Sequence, residues 1–475
     1  MATRIIFGTD GWRGTIAEDF TFENVRLCAQ GVADYLIATG KADAGMVVGY
    51  DTRFASEHFA AAAAEVLAGN GIRAYLCDRP SPTPVISYSV LAKKTAGAIN
   101  ITASHNPASW NGFKVRSEYA GAATPETLKD IEARIERFQA AGSVKQLPMD
   151  DALARDLIQV FDPAPEYLAK VATLVDTGPL RQAGLTVVAD SMWGAGLGWF
   201  SRLLNGGKTR VIEIHYQRNP VFPEMHNPEP IATNLTRLFE TVRTCGAQVG
   251  IATDGDADRI GLVDENGQFI NQLQVYALLA LYLLEVRGWR GPIVKTISTT
   301  SMLNRLGEMF GIPVYETMVG FKYVAPKMME VDAIIGGEES GGYAFRGHIP
   351  ERDGIVAGLF LLDFMVKANK SPAQLLDYLF SKVGPHYYDR VDITMAPEQR
   401  EEVVARLSRG RPRSLDGVKV VQIDTREGFR YVLADGSWLL VRLSGTEPLV
   451  RIYTEAGSLE KVQRLLNAGR QLTGV

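Results

Sequence analysis

Three short segments hold residues whose types and spacing suit phosphate chemistry. Thr102-Ala103-Ser104-His105-Asn106-Pro107 follows an apolar run over residues 96–101. A strand feeding a tight turn can hold a serine oxygen exposed and rigid, as a nucleophile or a phosphate carrier requires. Asp254-Gly255-Asp256-Ala257-Asp258-Arg259 follows a second apolar run and places three carboxylates at alternate positions. On an extended segment such positions share one side. Three carboxylates there repel unless a cation joins them, and hard oxygen ligands suit Mg²⁺. Arg442-Leu443-Ser444-Gly445-Thr446-Glu447-Pro448 is the third segment, with Arg451 beyond it. Successive backbone N–H groups in such a turn make an anion nest, and the hydroxyls and guanidinium groups add charge-assisted bonds.

Each segment has a plainer reading beside the chemical one. Ser104 could simply stabilise a turn with Asn106-Pro107, and a Ser-His neighbour pair is not by itself a nucleophile and its base. The aspartates could form a solvated acidic loop. An EF-hand is excluded, because its sixth position would be Arg259 where glycine is needed. Gly337-Glu338-Glu339-Ser340-Gly341-Gly342 is either a flexible turn or a loop whose Glu338 and Ser340 bind sugar hydroxyls. Gly194-Ala195-Gly196-Leu197-Gly198 has the wrong spacing for a dinucleotide loop and reads as helix–strand packing.

The elements that must position these segments follow a βαβ rhythm. Residues 46–50 read as a strand, 58–68 as a helix and 72–76 as a strand. The rhythm returns as strands 185–189, 210–214 and 249–252 with helices 194–204 and 234–245. It returns again as helices 274–285 and 302–309 with strands 293–296, 314–317 and 333–335. Three structural repeats are expected. The last ninety or so residues differ. Strands at 390–395, 418–423, 431–433, 438–443 and 449–453, a turn at Asp435-Gly436 and a helix capped by Ser458 make an antiparallel α+β module. Domain boundaries are expected near 150, 265 and 380, giving domains 1–150, 151–264, 265–380 and 381–475.

Length and composition agree with a globular enzyme of several domains: 475 residues, 46% hydrophobic and 22% charged. Net charge is −4 and no basic stripe argues for nucleic acid. Cys28, Cys77 and Cys245 are too few and too scattered for a disulfide framework, which suggests a reducing cytoplasm. The apolar runs 275–284 and 355–362 are too short to span a bilayer and are expected to be buried helices.

Taken in order, these motifs resemble those of the α-D-phosphohexomutase family, which includes phosphoglucomutase and phosphomannomutase. The resemblance runs from Phe7-Gly8-Thr9-Asp10-Gly11-Trp12-Arg13-Gly14 to residues 442–455. It implies three related α/β domains with mixed sheets and a C-terminal α+β domain around a central cleft. It implies Ser104 as a phosphoserine, and Mg²⁺ held by Asp254, Asp256, Asp258 and the serine phosphate. His105, Arg13 and Arg259 would stand at the transferring group, and Lys114, in Asn111-Gly112-Phe113-Lys114, would be the general acid/base. Glu338 and Ser340 would read the sugar, and Arg442, Ser444, Gly445, Thr446 and Arg451 would grip the distal phosphate. The Glu338-Glu339-Ser340 loop, His348 and the 316–322 segment resemble those of phosphoglucomutases, which favours glucose phosphates and implies His348 as a further catalytic residue and Thr317, Gly320 and Lys322 as substrate-binding ones. A hexose 1,6-bisphosphate would be the activator, and the protein a monomer or dimer without nucleic-acid or membrane partners. A metal-dependent sugar phosphatase and a non-catalytic sugar-phosphate-binding protein are the rivals. The first needs no distal phosphate loop, and the second has no use for both Ser104 and the three aspartates.

Overall fold

The computed structural model describes residues 4–8, 10–396, 398–443 and 449–474. Four sheets follow one another along the chain. The first contains β1 (Trp12–Thr15), β2 (Met46–Tyr50), β3 (Ala74–Cys77), β4 (Gly97–Ile101), β5 (Trp110–Ser117) and β6 (Ile158–Phe161), in the order β1-β5-β4-β2-β3-β6. β6 lies beyond residue 150. The second contains β7 (Thr186–Asp190), β8 (Arg210–Ile214), β9 (Val249–Thr253), β10 (Ile260–Val263) and β11 (Phe269–Ile270), in the order β11-β10-β9-β7-β8. The third contains β12 (Ile293–Thr296), β13 (Val314–Thr317), β14 (Ile335–Gly337) and β15 (Tyr343–Phe345), in the order β13-β12-β14-β15.

One pattern recurs in these three sheets. Three parallel strands lie side by side, and the third of them in sequence folds back on an antiparallel partner. The returning pairs are β4–β5, β9–β10 and β14–β15. The first sheet adds β6 as a further parallel strand beside β3. The expected threefold repeat is therefore one of topology. The central strands β2, β4 and β9 are buried along their whole length, as parallel strands covered by helices on both faces must be. Ser56–Gly69, with its five consecutive alanines, packs closely on the first sheet. Its neighbour Phe22–Ala38 starts where Thr21 accepts from the Asn24 amide.

Both long apolar runs form buried helices. Gln272–Leu281 opens with an Asn271–Gln274 capping box and continues as a π-turn, Tyr282–Val286. Gly354–Ala368 is capped by Asp353, which accepts from the Val356 amide. No helix among the described residues is long and apolar enough to cross a membrane. The fourth sheet is wholly antiparallel, with β16 (Tyr387–Thr394), β17 (Ser414–Leu415), β18 (Val418–Asp424), β19 (Phe429–Leu433), β20 (Trp438–Leu443) and β21 (Leu449–Ala456) in the order β16-β21-β20-β19-β18-β17. The helices Gln399–Arg409 and Leu459–Thr473 accompany it, the second capped by Ser458.

The expected helix over 194–204 is shorter, Trp199–Leu204. Residues 194–198 turn instead, because they lie against the aspartate loop. A side chain at Gly194 would meet the Gly255 carbonyl at 2.7 Å, and one at Gly196 would meet Thr253 Oγ1 at 2.2 Å. The glycines serve packing, but loop on loop rather than helix on strand.

Candidate active site

The three returning loops, after β4, β9 and β14, carry most of the chemical groups. In the first, Ser104 has a left-handed backbone, φ +52°, and is almost wholly buried. Its amide donates to Thr102 Oγ1 at 2.9 Å. The Arg53 guanidinium fixes the loop from behind. It is fully buried and donates to the carbonyls of Ser104 (2.8 Å), Asn106 (2.5 Å), Pro107 (2.8 Å) and Trp110 (2.9 Å). Asp51 balances its charge at 3.3 Å. Ser104 Oγ donates to Asp254 Oδ2 at 3.0 Å and lies 3.2 Å from His105 Nδ1. Burial and the guanidinium groups of Arg259 and Arg13 hold His105 well below the usual imidazole range, so it is neutral. Arg13, on β1, donates to Asn106 Oδ1 in the same loop.

In the second loop Asp254, Asp256 and Asp258 are fully buried and offer carboxylate oxygens all within 4.8 Å of one another. Their convergence is not that of an extended strand. The chain turns at Ala257, φ +57°, and Asp254 Oδ1 accepts the amides of Asp258 and Arg259, both at 3.0 Å. Burial and the neighbouring Asp258 and Asp256 carboxylates push Asp254 well up. Burial pushes Asp258 up to about 6 despite Arg352. Burial acts on Asp256 too, yet the Lys114 ammonium and the Thr83 hydroxyl hold it low. Asp256 Oδ1 and Asp258 Oδ1 are buried without a hydrogen-bond donor. Buried acceptors left in this state are costly, and a hard divalent cation fits them.

Lys114, on β5, reaches this cluster from the first sheet. Its Nζ lies 2.9 Å from Asp256 Oδ2, 2.7 Å from Asp10 Oδ2 and 3.9 Å from Asp258 Oδ2. Burial lowers its proton affinity, but the three carboxylates outweigh burial and raise it. Arg259 pairs with Glu229 at 3.0 Å and stands 3.9 Å from both Asp254 and Asp258.

The third loop brings Glu338, whose Oε1 accepts from the Gly320 amide at 3.0 Å and whose Oε2 lies 3.4 Å from Arg352. Burial raises its proton affinity against the pull of Arg352. Ser340 is half-buried in the same turn. Thr317 ends β13, and Lys322 lies in the first turn of the following helix, Phe321–Val331, with its ammonium over the Tyr323 ring. Arg442 and Arg451 stand opposite each other across β20 and β21. Arg442 is paired with Glu427 at 2.8 Å and Arg451 lies 3.5 Å from Asp392. Ser444, Gly445 and Thr446 lie outside the described residues.

His348 is not brought to this cluster. Its side chain is fully buried against Tyr88 and Tyr167, and its Nε2 pairs with the capping residue Asp353 at 2.8 Å. A site after the sugar loop in sequence is here a core position, because the chain turns inward to start the buried helix Gly354–Ala368. Conversely, sequence reasoning missed Arg53, Asp10, Arg116, Glu351 and Arg352. Arg352 Nη2 lies 2.7 Å from Asp258 and 3.0 Å from Asp10, and its Nη1 faces Glu338, so one guanidinium joins residues from three sheets. Arg116 pairs with Asp10 at 2.7 Å and with Glu351 at 3.2 Å. Asp10 lies in the N-terminal motif and could have been found there. The sequence around Arg352 carries no such signal.

The phosphoglucomutase/phosphomannomutase family matches this chain in all its parts: alpha/beta/alpha domain I over residues 4–141, domain II over 165–267, domain III over 271–383 and the C-terminal domain over 402–470. A "Phosphoglucomutase/phosphomannomutase" of Thermococcus kodakarensis is 32% identical over 98% of both chains. A "Probable phosphoglucosamine mutase" of Thermococcus gammatolerans is 32% identical over 98% of this chain and 97% of its own. The crystal structure of a "putative phosphomannomutase" from Thermus thermophilus superposes with a TM-score of 0.86, at 34% identity and 100% coverage of both chains. With four domains matched in order and whole-length relatives above 30% identity, the chain belongs to the phosphoglucomutase/phosphomannomutase family of isomerases.

Proposed function

We propose that this protein is a phosphoglucomutase. It interconverts glucose 1-phosphate and glucose 6-phosphate through phosphorylated Ser104 and a glucose 1,6-bisphosphate intermediate. The observation that carries the reading is Ser104 Oγ at 3.0 Å from Asp254, within a buried cluster of three carboxylates that has Lys114 at its edge. A phosphoryl group on that oxygen would sit among Arg259, Arg13 and neutral His105. Guanidinium groups in a buried site stabilise charge on a transferring phosphoryl group without costly reorganisation.

Asp254, Asp256 and Asp258, with an oxygen of the serine phosphate, would hold Mg²⁺, which when bound neutralises charge on the phosphoryl oxygens. Lys114 exchanges the proton of the reacting sugar hydroxyl. Its proton affinity depends on what Asp256 and Asp258 hold, since both help to keep it charged. Glu338 and Ser340 read the sugar hydroxyls, while Arg442, Arg451 and the 444–446 segment grip the distal phosphate. The bisphosphate turns over in the cleft and returns its other phosphate to Ser104. Added glucose 1,6-bisphosphate recharges the serine.

The choice of glucose rests on the Glu338-Glu339-Ser340 loop and the 316–322 segment, without His348. The names of the relatives favour keeping mannose and glucosamine phosphates as the second reading. Coupled assays on the three hexose 1-phosphates, with Mg²⁺ and the matching bisphosphate, decide it. Glucose 1-phosphate is expected to give the highest kcat/KM. A higher value for mannose or glucosamine 1-phosphate would replace the substrate and keep the mechanism. Release of inorganic phosphate without isomerisation would replace the mechanism too.

A further inference from the structure

Glu427 lies in the turn between β18 and β19 and touches two parts of the molecule at once. Its Oε1 accepts from Arg442 Nε at 3.1 Å and Nη2 at 2.8 Å. Its Oε2 accepts from the Val319 amide at 3.2 Å. Val319 belongs to the third sheet's loop, beside Gly320, whose own amide donates to Glu338. One carboxylate therefore ties the sugar-side loop to an arginine of the fourth sheet.

The turn is built to hold that carboxylate in place. The next residue, Gly428, has φ +101°, and a Cβ there would meet the Val441 carbonyl at 2.4 Å and Arg442 Cα at 3.1 Å. Only glycine lets the turn lie this close to β20, with Glu427 over the Arg442 side chain. The Nε/Nη2 edge that Glu427 occupies is the fork with which a guanidinium grips an oxyanion in two parallel bonds. Arg442 also faces Arg451 across the strand pair. Like charges placed directly opposite are destabilising, so without a ligand this pair needs carboxylates. Asp392 stands beside Arg451 and Glu427 serves Arg442.

Taking Arg442 as a distal-phosphate grip, as in the function proposed above, we propose that Glu427 is a displaceable stand-in for the substrate phosphate. Until substrate arrives, it keeps Arg442 neutralised and the fourth sheet tethered to Val319. The incoming phosphate takes the guanidinium fork, and Glu427 gives it up. Glu427 is thus a positioning residue that sets the phosphate affinity of the open site and couples phosphate capture to the contact between the last two domains.

The test is calorimetric binding of glucose 6-phosphate to full-length protein carrying Ser104→Ala, which stops phosphoryl transfer. Glu427→Gln keeps an acceptor for the Val319 amide and removes the competing charge. It should tighten binding by about tenfold, the scale of one charge-assisted contact. Glu427→Ala should tighten it as well, and thermal melts report whether each variant is folded. Arg442→Ala should weaken binding with either residue at 427. Unchanged or weaker binding in both folded Glu427 variants, with Arg442→Ala weakened, overturns the stand-in role alone. Unchanged binding in Arg442→Ala overturns the phosphate grip and the stand-in with it.

Discussion

At the scale of single residues, the site concentrates buried charge that is only partly compensated. Asp256 is held by side chains of the first domain, with Thr83 and Lys114 both donating to its Oδ2. Its other oxygen has no donor. Replacing Asp256 with Asn preserves size and the Thr83 contact but removes a charged ligand. The Mg²⁺ concentration for half-maximal activity should then rise at least about tenfold, because affinity for hard cations follows ligand charge. A metal titration with an unshifted midpoint would remove Asp256 from the ligand set. The spacing of the aspartates pointed to their chemistry, but the reason for their convergence was not legible. Alternation on a strand would have sufficed, whereas the chain uses a turn pinned by two amides on Asp254. Arg53 and Arg352 were invisible for a different reason. An arginine reads as a surface residue in sequence, and only tertiary structure decides that a guanidinium is buried with carboxylates or carbonyls on every side.

At the scale of elements, one hairpin geometry is used three times. A buried parallel strand runs out of the sheet, makes a loop and returns antiparallel, so each loop is anchored at both ends by strand pairing. This is why residues from rigid neighbours can hold reactive groups within hydrogen-bond distance. The strands were largely legible: residues 46–50, 210–214, 293–296, 314–317 and 438–443 form strands with the expected bounds. The returning strands β5, β10 and β15 were not, because polar residues interrupt β5, and β10 and β15 are only four and three residues long. The Ser104 loop has an extra clamp in Arg53, whose side chain is buried with its Asp51 partner and reaches four carbonyls. Arg53→Met should cost about 3–5 kcal/mol, the usual penalty for leaving a buried charge unpaired. Urea unfolding reads the loss, and intact mass should show less phosphate on the protein after incubation with bisphosphate. A variant within about 1 kcal/mol of the parent, with full phosphate uptake, would show that the clamp is dispensable.

At the scale of the molecule, the proposed function draws on four sheets. Ser104 and Lys114 come with the first, the aspartates with the second, Glu338 with the third and Arg442 with the fourth. Arg352 binds the first three into a unit through Asp10, Asp258 and Glu338. The fourth is joined differently. Polar pairs link it to the third: Glu455 with Ser301, Arg430 and Arg426 with Glu316, Glu427 with Val319, and Tyr388 with Glu339. A small apolar cluster sits among them, where Ile297 of the third domain meets Trp438, Leu440 and Tyr453. Mixed interfaces of this kind allow domains to move, as the proposed turning of a bound bisphosphate would require. The four-part organisation was legible from the change in rhythm after residue 380 and from the order of the motifs. The bridging role of Arg352 was not. The proposed role of Ser104 is to carry the phosphoryl group between the two ends of the sugar. It is tested most directly by incubating the protein with Mg²⁺ and phosphorus-labelled glucose 1,6-bisphosphate, then digesting it and locating the label. The label should reside on the peptide containing Ser104, be absent from Ser104→Ala, and leave the protein when unlabelled glucose 6-phosphate is added. Isomerase activity that persists in Ser104→Ala, or turnover with no label on that peptide, would contradict the account.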